Sequence, residues 1–377
     1  MRPIHLALFF TRGLALRHWH ELGTLERDIA LYERLCALGY RVTFVTYGEP
    51  DDAEHLPQGS PITVLSRPKG WSLRRYARTA HRVHREALAS ADVIKSHQIH
   101  GATTAARVAR RLGKPFMARC GYLPSMFAHA SGAGLLRRMR ATLEEVRAVR
   151  RAQAIAVPSQ AEADYVAGRY RVSARRLHLC PNWVDTDRFR PGPQQRHQRR
   201  IAFVGRLEAQ KQPLLFLELV RGLTQIEAVM IGTGRLEHKV AERVRVWGLP
   251  VRMLGRLNNE AIADELQRCA VYVFPTLCEG GSPKSLLEAM ACGLPAVSTN
   301  AFGVREAFVH DAHGFQCRPD DLQGMREAVE YVLSNPARAQ AMGQAARRHV
   351  ISHYSLDRAV ERETALLAEL AAIDRPT

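Results

Sequence analysis

The chain lacks the cysteine pattern of a disulfide framework. Its seven cysteines, at 36, 120, 180, 269, 278, 292 and 317, are odd in number and form no CxxC pair. Such spacing suits small buried thiols in a reducing compartment. The apolar start, Ile4 to Phe10, is only seven residues long and runs directly into Thr11-Arg12-Gly13. It is too short for a membrane span and has no small-residue cleavage region, so the expected location is the cytoplasm, touching a membrane at most from its inner face. No repeat of solenoid length recurs. Acids are scarce: Lys plus Arg number 54 against 37 Asp plus Glu, a formal charge of +17. Phosphorylated substrates, anionic lipid or nucleic acid are the partners such a balance suits. Nucleic acid is not expected, because no recognised module or interleaved aromatic pattern accompanies the basic segments.

What is present fits a two-domain α/β enzyme. With 377 residues, 46% of them hydrophobic, the chain exceeds what one core usually organises. Short apolar runs alternate with helical patterns. Strands are predicted at Ile4 to Phe10, Val42 to Tyr47, Ile62 to Leu65, Val93 to Ser96, Phe116 to Arg119 and Ala154 to Val157. The helix Leu25 to Leu38 is marked by near-helical apolar spacing and stops at Gly39. The polar run Pro191 to His197 breaks the pattern. Alternation then restarts at Ile201 to Val204, Ala228 to Ile231, Val251 to Leu254, Val271 to Phe274 and Ala296 to Ser298, each followed by a helical segment. Two doubly wound Rossmann-like domains facing across a cleft are expected, 1–190 and 191–355, with a C-terminal helix 356–377 packing back towards the first.

The most specific chemistry lies between Pro275 and Pro295, PTLCEGGSPKSLLEAMACGLP. A strand end, a glycine-rich turn holding Glu279 and a helix opening near Ser285 place two carboxylates and several backbone N–H groups around one helix N-terminus. The amides of Gly280, Gly281 and Ser282, with Pro283, Lys284 and Ser285 behind them, suit an anion. Glu279 and Glu288 suit the vicinal hydroxyls of a ribose or hexose; Glu288 as a helix-dipole residue and Glu279 as a solvated loop residue are the plainer readings. Gly205-Arg206-Leu207 follows a strand at once and Lys211 comes five residues after Arg206, putting two cations where a departing diphosphate would need them. Gly205 and Arg256 are further donor-binding candidates: Leu254-Gly255-Arg256-Leu257 ends another strand on the same face, where backbone groups are placed to read a nucleotide base, and Gly232-Thr233-Gly234 is either a point of close approach or an ordinary tight turn. Asp185-Thr186-Asp187 reads as turn and cap chemistry, not a metal triplet.

Taken together, Gly205-Arg206-Leu207 with Lys211, Asn182-Trp183-Val184-Asp185 with Phe189, Gly255-Arg256 and the block Glu279 to Pro295 resemble the retaining glycosyltransferases of family 4, which have the GT-B fold. The resemblance covers nearly the whole second domain and implies transfer of a sugar from a nucleotide diphosphate sugar, in cell-envelope, lipopolysaccharide or exopolysaccharide synthesis. It implies catalytic roles for Arg206, Lys211 and Glu279: the two cations hold the donor diphosphate and Glu279 contacts the donor sugar. Glu288 would bind the ribose. No catalytic metal and no resident cofactor are implied; the nucleotide sugar is a co-substrate. Two departures stand out. Glu279 and Glu288 enclose eight residues where the family spacing is seven, and the strand Phe116 to Arg119 is followed by Cys120-Gly121-Tyr122 with no histidine. A nucleotide-sugar epimerase and a non-catalytic sugar-nucleotide or lipid-binding protein are the alternatives; acceptor-independent turnover marks the first, and absence of donor turnover the second.

The first domain should meet a saccharide or lipid-linked acceptor. Gly13 is the expected point of close approach to the donor phosphate or the acceptor and is counted with the donor-binding residues, and His97, His100 and Arg119 are candidate acceptor contacts; HxxH alone is poor evidence for a metal. Two basic amphipathic segments stand out. Arg67 to Arg85 sets Arg74, Arg78, Arg82 and Arg85 against Leu73, Ala77, Ala80 and Val83; Leu135 to Arg151 sets Leu136, Met139, Leu143 and Val146 opposite several arginines. Such helices either lie on an anionic membrane or are domain helices with a solvated basic face.

Overall fold

In a computed structural model, residues 3–121, 123–125, 128, 134–193 and 196–373 are described. The chain divides into two compact units: one takes in the residues up to Cys180 and from Ala359 onward, the other runs from Pro181 to Arg358.

Unit 1 contains β1 (His5–Phe9), α1 (Leu16–Glu21), α2 (Leu25–Ala37), β2 (Arg41–Val45), β3 (Thr63–Leu65), α3 (Leu73–Val83), α4 (Arg85–Ala89), β4 (Val93–Ser96), α5 (Ile99–Leu112), β5 (Phe116–Arg119), α6 (Leu135–Arg151), β6 (Ala154–Val157), α7 (Gln160–Tyr170) and β7 (Leu177–Leu179). The parallel sheet has the order β3-β2-β1-β4-β5-β6-β7. Its inner strands are short continuous apolar runs, buried throughout in β1 and β6, as strands covered by helices on both faces must be. Helix α2 ends where Gly39 takes φ +88°. The sheet also holds a charge: Lys95 of β4 is wholly buried, and its Nζ lies 2.5 Å from Glu363 Oε1 and 5.6 Å from the Tyr32 ring centroid.

Unit 2 contains β8 (Arg200–Val204), α8 (Pro213–Arg221), β9 (Glu227–Ile231), α9 (Glu237–Val246), β10 (Val251–Gly255), α10 (Asn259–Gln267), β11 (Val271–Phe274), α11 (Lys284–Ala291), β12 (Ala296–Thr299), β13 (Gly314–Cys317), α12 (Leu322–Ser334) and α13 (Pro336–Tyr354). Its parallel sheet runs β10-β9-β8-β11-β12-β13. A last helix, α14 (Leu356–Ile373), starts in unit 2 and belongs to unit 1 from Ala359.

Three expectations need correction. The division falls at Cys180 and not at 190, because Trp183, Val184 and Phe189 are buried and Val184 pairs with Ser355 within unit 2. The sequence reading missed β7 and β13, each only three or four residues long and half-exposed. No helix follows β12 among the described residues; turns connect it to β13, with Val304 and Phe308 filling the core instead.

Both sheets reverse strand order between their first and fourth strands, at β1/β4 and at β8/β11. Crevices for ligands open at the carboxyl ends of such strands. In unit 2 those ends lead into Gly205-Arg206 and the segment Pro275 to Glu279.

Candidate functional site

The loops after β8, β9 and β10 are tied by backbone hydrogen bonds: Gly205 N–H donates to Ile231 O (3.0 Å), Leu207 N–H to Thr233 O (2.9 Å) and Gly232 N–H to Gly255 O (2.7 Å). Gly232 takes φ +132°, and a Cβ there would lie 2.0 Å from Gly205 O. At Gly234 a Cβ would lie 2.6 Å from Leu207 O. The Gly-Thr-Gly pattern therefore answers to the neighbouring loop's backbone, and it fixes where Arg206 emerges. Arg206 is exposed, as is Arg256 after β10.

Lys211 is placed differently. It ends a 3₁₀ turn, Ala209–Lys211, and its Nζ lies 2.6 Å from Glu279 Oε1 and 5.0 Å from the Phe274 ring centroid. Thr276 Oγ1 donates to the same carboxylate oxygen (2.7 Å). Both partners are nearly buried, with side chains 12% and 9% exposed. Backbone links hold the two segments together: Leu277 N–H donates to Gln210 O (2.9 Å), and the Gln210 amide to Cys278 O (2.7 Å). The structure thus joins Lys211 to Glu279 and leaves Arg206 as the outward cation of the pair read from the sequence.

Glu279 is fixed from behind as well. Its N–H donates to Phe302 O (2.8 Å), and a Cβ on Gly303 would lie 2.3 Å from its carbonyl oxygen. Between the two glutamates Gly281 takes φ +89°, a conformation other residues adopt only with strain. Asn182 and Trp183 brace this turn, a role the sequence did not reveal. The Asn182 amide donates to Ser282 O (2.9 Å), and the Lys284 ammonium lies 4.8 Å from the Trp183 ring centroid. Ser282 is buried beneath them.

Helix α11 opens at Lys284 behind Pro283, and no side chain caps its first N–H groups. Arginines serve its other end: Arg196 donates to Gly293 O (2.8 Å) and Cys292 O (2.5 Å), and Arg347 to Ala291 O (2.5 Å). Cations at the C-terminus and open amides at the N-terminus leave the helix's positive end for an anion. Glu288 sits within the helix and is 4% exposed. Beneath both glutamates lies Tyr272, another residue the sequence reading passed over. Its hydroxyl is 3.1 Å from Val204 O and 2.9 Å from Ser285 Oγ. Burial first, then the carboxylates of Glu288 and Glu279, push its phenol well above the usual range.

In unit 1, Gly13 has φ +86°, and its Cβ would meet only Leu73 at an ordinary 3.6 Å. The tight approach is at Gly101, unremarked in the sequence, where a Cβ would lie 2.6 Å from Phe10 O. His97 Nδ1 is 3.3 Å from Thr11 Oγ1, with its ring against Trp19 (centroids 5.1 Å apart). His100 instead meets Glu144 of α6 at 2.9 Å, a hydrogen bond that raises its pKa. The two histidines thus have separate partners. Arg119 ends β5 half-buried, its N–H donating to Ser96 Oγ (3.3 Å). Tyr122 lies outside the described residues. Asp185 Oδ1 accepts from the N–H groups of Asp187 (3.0 Å) and Arg188 (3.1 Å), the geometry of a turn.

Two parallel Rossmann-type sheets, of seven and six strands with helices, are also the fold of solved GT-B glycosyltransferase structures. Sucrose-phosphate synthase from Thermosynechococcus elongatus superposes with a TM-score of 0.80 at 17% identity, over 98% of this chain and 100% of that one. Anabaena HepE, solved in complex with UDP, gives 0.79 at 15% identity over 97% and 100%. The family model Glycosyltransferase Family 4 matches residues 29–188, and that of Glycosyl transferases group 1 matches 185–349. The chain belongs to the family 4 glycosyltransferases of GT-B fold. A GDP-mannose-dependent monoacylated alpha-(1-6)-phosphatidylinositol monomannoside mannosyltransferase of Corynebacterium glutamicum is 28% identical over 50% of this chain and 55% of its own length. The chain spans about half the length of the curated relatives it matches.

Proposed function

We propose that the chain transfers a sugar from a nucleoside diphosphate sugar to a saccharide or lipid-linked acceptor, with retention at the anomeric carbon, in the assembly of a cell-envelope, lipopolysaccharide or exopolysaccharide glycan. The observation that carries this reading is the Lys211–Glu279 pair beside the exposed Arg206, at the switch point of β8 and β11. A diphosphate there meets the guanidinium of Arg206, the ammonium of Lys211 and the open amides of α11. Glu279 faces the donor sugar and Glu288 takes the ribose hydroxyls.

In the step itself, the bond between the anomeric carbon and the β-phosphate oxygen breaks, and the acceptor oxygen bonds to that carbon on the same face. The acceptor proton passes to a phosphate oxygen. Negative charge grows on the diphosphate, and preorganised cations stabilise that growth more than they stabilise the intact donor. Arg206 and Lys211 thereby do the electrostatic work that a divalent metal does in other sugar transferases.

Thermal unfolding with a panel of nucleoside diphosphates and their sugars tests the binding half, since a ligand held only by the native state raises the unfolding temperature. The anomeric configuration of the product, read by NMR against that of the donor, tests retention. No stabilisation by any nucleotide sugar, together with no donor turnover, removes the proposal; an inverted product removes its stereochemical part.

A further inference from the structure

Helices α3 and α6 read alike in the sequence but are used in opposite ways. In α3 the apolar side is spent on the core, with Tyr76, Ala77 and Ala80 buried. In α6 the buried side is Ala141, Glu145, Ala148 and Val149. Leu136, Met139 and Leu143, spaced i, i+3 and i+7, lie on the far side and are 63%, 60% and 47% exposed. Leu135, at the start of the helix, is 75% exposed. An apolar stripe this open on a helix is a surface that covers something.

Arginines border it. Arg140 and Arg147 flank the stripe and Arg150 and Arg151 close its C-terminal end, all exposed. Beside that end arginines from three helices converge: Arg107 of α5 has its pKa lowered by burial first and then by Arg151 of α6, Arg78 of α3 and Arg110 of α5. Neither acid of α6 answers this charge. Glu144 pairs with His100, and Glu145 accepts from the Ser125 N–H (2.6 Å) and hydroxyl (2.7 Å). Among the described residues, no carboxylate pairs with Arg78, Arg110, Arg140, Arg147, Arg150 or Arg151.

We infer that this face of unit 1 docks on an anionic phospholipid bilayer, with Leu136, Met139 and Leu143 entering the acyl boundary and the arginines holding headgroup phosphates. Charge complementarity selects that occupant. A second copy of the chain would bring the same arginines against themselves. A nucleic acid would match the charge but leave a leucine and methionine stripe against phosphates, where it gains nothing. A bilayer surface offers both phases at the right depth, a few ångströms apart. The inference is independent of the donor chemistry, since none of these residues belongs to the site in unit 2.

The test is sedimentation of the intact protein with phosphatidylcholine vesicles, with and without phosphatidylglycerol. Binding is expected only to the anionic vesicles and should fall steeply as salt rises. The triple variant Leu136→Gln/Met139→Gln/Leu143→Gln should lose at least about tenfold in vesicle affinity with an unchanged unfolding temperature, because the replaced groups are already in water. Arg110→Glu/Arg151→Glu should lose comparably and should also flatten the salt dependence. Absence of binding to anionic vesicles at low salt overturns the inference, as does equal binding by the triple variant. Equal binding to neutral vesicles overturns the role of the arginines, and displacement of the vesicles by an RNA oligonucleotide that the triple variant binds as well assigns the face to nucleic acid.

Discussion

The Lys211 ammonium and the Glu279 carboxylate stand 2.6 Å apart and almost out of water, so neither can be removed without stranding the other. Lys211→Ala is expected to abolish most donor turnover, by about a hundredfold or more for a cation acting on the leaving group. It should also destabilise the fold, since breaking a buried pair typically costs about 3–5 kcal/mol. Lys211→Met/Glu279→Gln should recover much of the stability and none of the turnover. Thermal unfolding and donor hydrolysis measured on all three proteins check this; a double variant that regains turnover means the pair serves folding alone.

Arg206 gives the opposite signature. Being exposed, its replacement by Ala should leave the unfolding temperature unchanged within about half a kcal/mol. Loss of a charge-assisted bond to phosphate, about 1.5–3 kcal/mol, should weaken nucleoside diphosphate binding by roughly 10- to 100-fold. Calorimetric titration separates the two effects, and an unaltered affinity takes Arg206 out of the site.

The loops around Arg206 can be probed by adding one methyl group. At Gly232 a Cβ collides with Gly205 O at 2.0 Å, between backbone atoms with no room to yield. Gly232→Ala should therefore lower stability and turnover together, by several kcal/mol and about tenfold or more. Gly168 in α7 has nothing within 4 Å of its Cβ position, so Gly168→Ala should instead stabilise by about 0.5–1 kcal/mol. Urea unfolding of the two variants provides the comparison; similar destabilisation in both would mean the contact at Gly205 is not tight.

Much of this was legible beforehand, and the divisions are physical. Parallel strands covered on both faces are continuous apolar runs, so all eleven strands expected from the sequence could be placed from residue type alone, and Arg206, Lys211 and Glu279 were marked by their positions after strand ends, Glu288 by its place in the helix that follows. Side-chain pairing was not legible. Lys211 and Glu279 lie 68 residues apart, and only the hydrogen bonds between 210 and 276–278 bring them face to face. Tyr272 was hidden because a buried tyrosine in an apolar strand reads like any core aromatic. Helices α3 and α6 have the same amphipathic pattern, and nothing local says which side meets the sheet.

Unit 2 also carries an acid-sensitive cluster. His349 stacks between His313 and His353, with centroids 4.5 and 4.6 Å away, and its pKa is lowered from 6.5 to about 4 by burial first and then by the two neighbouring rings. The unfolded chain takes up a proton there near pH 6.5, while the folded one resists until about 4. Stability is therefore lost as the pH falls through that window. His349→Gln should make the urea midpoint fall less steeply between those pH values than it does in the parent protein. Parallel profiles would dismiss the cluster as a source of acid sensitivity.

The ion pair in the first sheet has a consequence for synthesis. Glu363, the counter-charge of Lys95, comes 268 residues later in the chain, after the whole of unit 2. On the ribosome the unit begun first is thus the one completed last. Until α14 emerges, the nascent sheet holds an ammonium with no partner and lacks the buried Leu366, Leu367 and Leu370, while the second unit already has every residue it needs. The two units are completed in the reverse of the order in which they begin, and the first sheet keeps its unpaired charge and open apolar surface for as long as unit 2 takes to be made.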